Sequence, residues 1–517
     1  MIFIKEYTVS MSDGVRLYTR LVLPGDGTGR YPTVFMRTPY DAETTVTEAT
    51  VRYYENDSLL QHGYAIVYQH CRGRGGSEGV CVPYDACERS DGLETIEWIR
   101  TLPHYNGELF LSGGSYTASI LLMILNADIP DLKAIALSVQ TESMYHRNYF
   151  NGMCRSYCGF EWWLSMIEPQ QPRIAEWKDI YLRPYRDIMK RATGKELPAF
   201  TDGLLHDRYD DFWKNDPRIG VMETLRVPVL MVSGWFDYYC YGMCSMWNKL
   251  SPETRKRSCF LMTPCGHDLG VRKDSCYPFL NASLPADREA EWFDSVRNGT
   301  EYPYSELGKF RYYSIGENRW YTANEPYEIK PSLPLYFSAD RRLKRAEPVC
   351  GPLTYEYDPE HPKHHDKHDY MFLCDYERLT DDGVTFFSDP FEEDASFFGP
   401  ISFEMTLNSD CGDTAFFMRL YLAEDGKCYN LTDAITTLLH ADPEFKAGKP
   451  CRVRILSQPT AFRVKKGNSL RVDISSCSDC YVPHSNTREA LALAETVKIA
   501  HNTVICGQSV LKLPLKK

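Results

Sequence analysis

One segment constrains the fold of this chain more than any other: the run ELFLSGGSYTASILLMIL at residues 108–125. Its first half is strand-like and its second half is helix-like, and the change falls at Gly113, Gly114 and Ser115. A strand that turns directly into a helix is a unit of an α/β sheet. So tight a turn needs small residues and leaves the Ser115 hydroxyl exposed at the end of the strand. The N-terminus of the following helix favours negative charge that develops beside it.

Further strand-like and helix-like runs flank this segment. Residues 5–24 alternate polar and apolar side chains around the turn MSDGVRL, which predicts a β-hairpin. The run DGLETIEWIR (91–100) has apolar residues at helical spacing. Short apolar runs that end in loops predict buried strands of a parallel sheet: YPTVFMRT (31–38), YAIVYQHC (64–71), VPVLMVSGW (227–235) and CFLMT (259–263). Together these elements predict an α/β sheet with helices on both faces.

Two other regions have a different texture. Residues 138–222 are rich in aromatic side chains and helix-like, and they interrupt the series of sheet strands. After residue 305, alternating segments separated by turn residues predict an antiparallel β-sandwich or jelly roll. We therefore predict a core formed by 1–137 and 223–304, a helical cap insertion at 138–222 and an all-β domain at 305–517.

Charge and hydropathy argue against several classes of partner. The net charge is −12 and no dense run of Lys and Arg occurs, so a phosphate backbone would be repelled. No window approaches the ~20 apolar residues of a membrane helix. The N-terminal MIFIKEYTVSMSDG does not have the form of a signal peptide, and the 18 cysteines are scattered. These features predict reduced thiols and a cytoplasmic protein that binds neither nucleic acid nor membrane.

Two clusters contain residue types that can bind metals, but the sequence around each favours a role without a metal. Cys477 and Cys480 form a CxxC pair with no second pair at zinc spacing. The run EHPKHHDKHD contains four histidines in a polar, proline-containing stretch, which is typical of a solvated loop: His361, His364, His365 and His368. We expect no metal or cofactor, and any role of these two clusters is left open.

The chemistry predicted for Ser115 depends on partners elsewhere in the chain. A serine hydroxyl is a poor nucleophile unless a base accepts its proton and an acid orients that base. Asp237 and His267 each follow a strand-like run, so both are expected at the same edge of the sheet as Ser115. The order serine, acid, histidine is that of α/β-hydrolases. Asp268 is a rival acid, but its adjacency to His267 makes it awkward for the carboxylate to face the same imidazole.

An ordered set of motifs resembles the cocaine-esterase/X-prolyl dipeptidyl-peptidase family of acyl hydrolases over nearly the whole chain. The matching segments are MRTPYD (36–41), GYAIVYQHCRGRGGSEG (63–79), DGLETIEWIRTLPHYNGELFLSGGSY (91–116), YDDFW (209–213), VPVLMVSGWFD (227–237), the GHD after CFLMTPC, FFSDPFEEDASFFGP (386–400) and the run from AFRVKKGNSLRVDISS to PHSNT.

The resemblance implies an α/β-hydrolase core, a helical cap and a jelly roll, without a cofactor. It implies a serine hydrolase that cleaves a small-molecule ester through Ser115 as nucleophile, Asp237 as acid and His267 as base. The Tyr40 hydroxyl and the backbone N–H of Tyr116 would donate to the oxyanion. The chain departs from the family pattern at Ala118, where glycine is usual, and at His70, where aspartate is usual. Thr117 stands where the general Gly-x-Ser-x-Gly turn of such hydrolases has its second glycine.

Several alternatives remain open from the sequence alone. Trp162, Trp163 and Trp213 of the cap either line the substrate pocket or form the interior of the cap. The alternative enzyme is an Xaa-Pro dipeptidyl-peptidase, or an acylase acting on N-acyl amino acids or peptides. The non-enzymatic alternative is a protein whose jelly roll binds a carbohydrate or a partner while its hydrolase core is inactive. A homo-oligomer is compatible with all three.

Overall fold

The computed structural model describes residues 3–40, 57–167, 182–270, 277, 279–327, 331–362, 382–478 and 480–516. Within these residues, no helix is both long enough and apolar enough to cross a membrane.

The N-terminal part of the chain forms a ten-stranded sheet in the order β1-β2-β4-β3-β5-β6-β7-β8-β9-β10. Its strands are β1 (Phe3–Ser10), β2 (Arg16–Leu23), β3 (Tyr31–Thr38), β4 (Ala65–His70), β5 (Tyr105–Gly114), β6 (Leu132–Ser138), β7 (Val229–Gly234), β8 (Cys259–Thr263), β9 (Lys309–Ser314) and β10 (Arg319–Ala323). In this spatial order, the strands from β4 through β3 to β9 run parallel to one another. The strands β1, β2 and β10 are antiparallel to their neighbours.

Helices cover both faces of this sheet, so its central strands are apolar on both sides. Leu109 and Leu111 of β5 pack on one face with the helices Cys87–Thr101, Tyr116–Leu122 and Cys240–Lys249. Phe110 packs on the other face with the helices Asp57–Gln61 and Arg288–Asn298. A further short helix, Pro252–Arg255, precedes β8. Burial on both faces is characteristic of a parallel sheet with crossover helices, and the α/β prediction is confirmed.

The cap emerges between β6 and β7, as the change of texture at 138–222 predicts. It contains the helices Met144–Asn148, Trp162–Ile167, Ile188–Thr193, Pro198–Leu205, Asp211–Lys214 and Val221–Thr224, a π-helical turn Tyr157–Glu161, a 3-10 turn Tyr185–Asp187 and a small hairpin Tyr149–Phe150 with Met153–Cys154. These short elements follow β6 at the sheet edge that carries the ends of the parallel strands, so the cap lies over that edge.

The C-terminal part is a largely antiparallel β domain in the strand order β13-β20-β15-β21-β11-β12-β14-β19-β16-β17, with β18 paired to β15. Its strands are β11 (Ser332–Ser338), β12 (Arg342–Lys344), β13 (Gly351–Tyr357), β14 (Val384–Ser388), β15 (Ala395–Ser409), β16 (Ala415–Glu424), β17 (Lys427–Thr437), β18 (Cys451–Val464), β19 (Ser469–Ser475), β20 (Ala500–Cys506) and β21 (Val510–Pro514), with one short helix, Leu438–Ala441. The prediction that the C-terminal part of the chain is built from β-strands is therefore confirmed.

One predicted assignment differs from the structure. The alternating segment that begins at Lys309 was expected to open the all-β domain at 305–517, yet β9 and β10 extend the first sheet. The helix Arg288–Asn298 forms the crossover that lets β9 pair parallel to β8. Alternation of polar and apolar residues marks any half-buried strand, so it cannot tell which of two sheets a strand joins.

Candidate active site

The turn between β5 and the helix Tyr116–Leu122 presents Ser115 in a strained backbone conformation. Its φ angle is 56°, in the region that residues with a side chain rarely adopt. Three hydrogen bonds hold it there: Ser115 N–H donates to the Ser138 carbonyl (3.0 Å), and the Ser115 carbonyl accepts from Ser119 N–H (3.1 Å) and from Gln140 Nε2 (2.7 Å). These bonds tie Ser115 to the end of β6, to the loop after it and to the following helix, and so they hold the strained backbone in place.

The two glycines before Ser115 are required by close packing. A Cβ on Gly113 would lie 2.8 Å from the backbone nitrogen of Ala118, and one on Gly114 would lie 2.7 Å from Ser138 Oγ. Thr117 departs from the usual Gly-x-Ser-x-Gly turn but stabilises it here, because its hydroxyl bonds to both the N–H and the carbonyl of Gly114 at 2.7 Å. The turn therefore forms with threonine at this position.

The structure brings the three predicted catalytic side chains together. His267 Nε2 lies 2.9 Å from Ser115 Oγ, and His267 Nδ1 lies 2.6 Å from Asp237 Oδ2. With a proton on Nδ1, the imidazole donates to Asp237 and accepts the hydroxyl proton of Ser115. These contacts join residues from the ends of β5, β7 and β8. Asp268, the rival acid, is exposed, and its Oδ1 accepts from the Gly270 N–H.

The surroundings of Asp237 and His267 fix both side chains. Asp237 is buried, and its second oxygen accepts from the Tyr239 N–H at 2.6 Å. The ring of Tyr238 stacks on the His267 imidazole with ring centres 4.7 Å apart. Since every oxygen of the carboxylate has a donor and one face of the imidazole has a ring against it, the pair is held in one orientation.

Tyr40 lies close enough to Ser115 for the Ser115 side chain to influence the pKa of the Tyr40 hydroxyl. Burial raises the pKa of Tyr40 above its ordinary value, so the phenol keeps its proton. Trp162 Nε1 donates to the Tyr40 oxygen at 3.3 Å. Because Trp162 occupies a lone pair of this oxygen, the phenol proton can point into the site.

Tyr116, the other predicted oxyanion donor, is fixed through its side chain. Its hydroxyl donates to Glu88 Oε1 (2.8 Å), and Glu88 pairs in turn with the buried Arg37 at the end of β3 (2.8 Å). Asp91 links Arg37 to Arg72 in the same network. The network ties the loop that carries Tyr40 to the start of the helix that carries the Tyr116 N–H. Sequence reasoning missed it, because its members are far apart along the chain.

The three cap tryptophans occupy different environments. Trp162 contacts Tyr40 and stacks on Tyr116 with ring centres 5.3 Å apart. Trp163 packs behind it, edge-on to Trp162 (5.8 Å). Trp213 lies in the interior of the cap near Tyr149, and its Nε1 donates to the His206 carbonyl (2.7 Å). Only Trp162 of the three therefore contacts a predicted oxyanion residue among the contacts that the structure describes.

Arg147 is a site residue that the sequence did not single out. It is 1% exposed, and its guanidinium lies over the Trp162 ring (4.7 Å) and the Tyr84 ring (5.0 Å). In the sequence, Arg147 is a lone arginine between aromatic residues. An exposed helix of the cap would show the same pattern, so the sequence alone does not mark Arg147 as part of the site.

The remaining predicted features lie away from this site. His70 is buried between Tyr18 and Tyr68, consistent with a role in loop packing. Cys477 and Cys480 are buried, they form no disulfide among the described residues, and the Cys477 thiol contacts Asp382. His361 bonds to Asp358 (2.8 Å), and the other histidines of its cluster, His364, His365 and His368, lie outside the described residues.

Comparison with protein families identifies both parts of the chain. Residues 13–268 match the X-Pro dipeptidyl-peptidase (S15 family) model, and residues 295–511 match the X-Pro dipeptidyl-peptidase C-terminal non-catalytic domain. Among characterised proteins, cocaine esterase from Rhodococcus sp. (strain MB1 Bresler) is 22% identical, over 94% of this chain and 92% of that protein.

Solved structures share the whole architecture. An α-amino acid ester hydrolase superposes with a TM-score of 0.85 at 21% identity, covering 100% of this chain and 97% of the other. An aminopeptidase from a marine sediment Thaumarchaeota archaeon superposes with a TM-score of 0.82 at 21% identity and the same coverage. With two family models spanning most of its length, this chain belongs to the cocaine-esterase/X-Pro dipeptidyl-peptidase family and is a serine hydrolase.

Proposed function

We propose that Ser115, His267 and Asp237 are the catalytic triad of this hydrolase. The continuous chain of hydrogen bonds from Asp237 through His267 to Ser115 is the observation that carries the proposal. His267 takes the proton of Ser115 as Oγ attacks the substrate carbonyl, while Asp237 stabilises the imidazolium that forms. His267 then protonates the leaving group, and water attacks the acyl-enzyme by the reverse route.

The Tyr40 hydroxyl and the Tyr116 N–H stabilise the oxyanion of the tetrahedral intermediate. The proximity of Tyr40 to Ser115 and the position of Tyr116 at the first residue of the helix support these roles. Both donors are set before the reaction begins, so little reorganisation is needed as charge develops. Removal of one such donor typically costs about 3–4 kcal/mol of transition-state stabilisation.

The favoured substrates are small carboxylic esters. Cocaine esterase is similar over nearly the full length of this chain, which supports an ester. The second candidate is cleavage of an amide, as in an Xaa-Pro dipeptidyl-peptidase or an acylase, and it is supported by the family model that the core matches. The two differ in the leaving group that His267 must protonate, and a panel of dipeptide anilides beside simple esters separates them.

We further propose that the protein works in the cytoplasm. None of the cysteines among the described residues forms a disulfide, and most of these side chains are buried. Free thiols behave there as small apolar side chains, which suits a reducing compartment.

Replacement of the nucleophile tests the triad. Ser115→Ala should abolish hydrolysis of short p-nitrophenyl esters and labelling by a fluorophosphonate probe, while the melting temperature changes little. The control is Ser119→Ala, one helical turn away, whose hydroxyl accepts from Arg218 (2.9 Å); it should keep both turnover and labelling. Turnover retained by Ser115→Ala would disprove the assignment.

A further inference from the structure

Arg147 is a buried cation with no acidic partner among the described residues. Its two hydrogen bonds both come from Nη1, to Asn148 Oδ1 (2.7 Å) and the Cys158 carbonyl (2.6 Å), and buried Nε has no acceptor. Two other buried arginines are neutralised by carboxylates: Arg37 by Glu88, and Arg218 by Asp216. A buried charge without a partner is strongly unfavourable, so its retention requires an explanation.

The guanidinium of Arg147 is held along one edge, while its buried Nε is left without an acceptor. The Trp162 and Tyr84 rings, whose centres lie 5.4 Å apart, pack side by side against the guanidinium, and Nη1 donates to Asn148 and Cys158. The opposite edge carries Nε and Nη2, which point the same way and match the two oxygens of a carboxylate. Side chains already fixed in this way lose little freedom when they bind a carboxylate.

Arg147 adjoins the candidate active site through Trp162. Trp162, which covers one face of the guanidinium, donates to the Tyr40 hydroxyl. The positive charge of Arg147 opposes the rise that burial causes in the pKa of Tyr40. Arg147 therefore lies on the side of the candidate site that holds Tyr40.

We propose that Arg147 binds a carboxylate of the substrate through its Nε and Nη2 edge. The proposal deepens the proposed function and rests on it: the preferred substrates are esters or amides that carry an anionic carboxylate near the scissile bond. A cationic amino group at the same place is disfavoured by repulsion from Arg147. The carboxylate belongs either to the acyl part or to the leaving group, and the test has one arm for each.

The acyl arm compares three p-nitrophenyl esters of similar length: the monoester of glutarate, the pentanoate and the 5-aminopentanoate. The leaving-group arm compares the butyrate esters of 4-hydroxybenzoate and 4-hydroxybenzamide. In at least one arm, kcat/KM for the anionic ester should exceed that of its neutral partner by about 100-fold, the scale of two charge-assisted hydrogen bonds.

Variants of Arg147 test whether this residue causes the preference for the anionic ester. Arg147→Met should remove it by lowering kcat/KM for the anionic ester about 100-fold, with less than about a threefold change for the neutral ester. Arg147→Lys keeps the charge but not the paired donors, and should retain only part of the preference. The matched control is Arg218→Met, on the other cation that lies over Tyr84 (5.1 Å), which should change both esters equally.

The outcomes are separable from those of the triad test. No preference for the anionic ester in either arm overturns the proposal. Equal loss of both esters in Arg147→Met, together with a lowered melting temperature, also overturns it, because Arg147 would then be structural. In either case the wild-type chain still hydrolyses neutral esters in a Ser115-dependent manner. The Ser115→Ala experiment therefore tests the proposed function independently of Arg147.

Discussion

Of the two proposed oxyanion donors, the Tyr40 hydroxyl is the one that a side-chain substitution can remove. Tyr40→Phe keeps the ring that packs beside Trp162 and removes the proton that would face the developing charge. We expect kcat for short p-nitrophenyl esters to fall by about 10²–10³-fold, with KM changed little, because the lost interaction belongs to the transition state. Steady-state kinetics measure both values.

The control for this change is the loss of a hydroxyl elsewhere. Tyr302 packs on the face of the sheet that carries the helix Arg288–Asn298, and its hydroxyl donates to the Arg288 carbonyl (3.2 Å). Tyr302→Phe should keep wild-type kcat. If Tyr40→Phe also keeps it, Tyr40 is not an oxyanion donor.

At the scale of the element, the strand–turn–helix unit depends on Thr117. Thr117→Val removes the hydroxyl that the Gly114 N–H and carbonyl share, and leaves the shape of the side chain nearly unchanged. An N–H left without a partner costs about 1–3 kcal/mol, so the free energy of unfolding in urea should fall by that amount. The turnover number should fall with it, since the same turn positions Ser115.

Thr117→Ser is the matched control, because it retains the hydroxyl. It should keep most of the stability and activity that Thr117→Val loses. If the valine variant is as stable as the wild type, the hydroxyl has no part in holding the turn.

The elements and the triad were predictable because their signals are local. β5, β7 and β8 each show as an apolar run, and parallel strands bring their carboxyl ends to one edge, so Ser115, Asp237 and His267 were expected together. Gln140 and Arg147 were not predicted, because their roles depend on which side chains the fold places beside them. β9 was assigned to the wrong sheet for the same reason, since its pairing depends on β8.

At the scale of the whole molecule, the core and the jelly roll share one interior. Ile315, directly after β9, exchanges backbone hydrogen bonds with Ala461 and Arg463 of β18, both at 2.9 Å. Tyr312 of β9 stacks on Phe398 of β15 with ring centres 4.2 Å apart. The cap joins the same assembly, because the Ser156 N–H donates to the Cys480 carbonyl (3.0 Å). One continuous hydrophobic cluster contains side chains from both sheets.

A shared interior predicts that the hydrolase and the jelly roll unfold in one transition. Phe386→Ala empties a site inside the jelly roll, where Phe386 packs edge-on against Phe337 (4.9 Å), and it should destabilise the chain by about 3–5 kcal/mol. We expect calorimetry to show one transition at a lower temperature, and esterase activity to be lost at that same temperature. Val349→Ala, at an exposed position of the same domain, should shift neither. Two separate transitions, with activity surviving the first, would mean that the triad does not depend on the jelly roll for its stability.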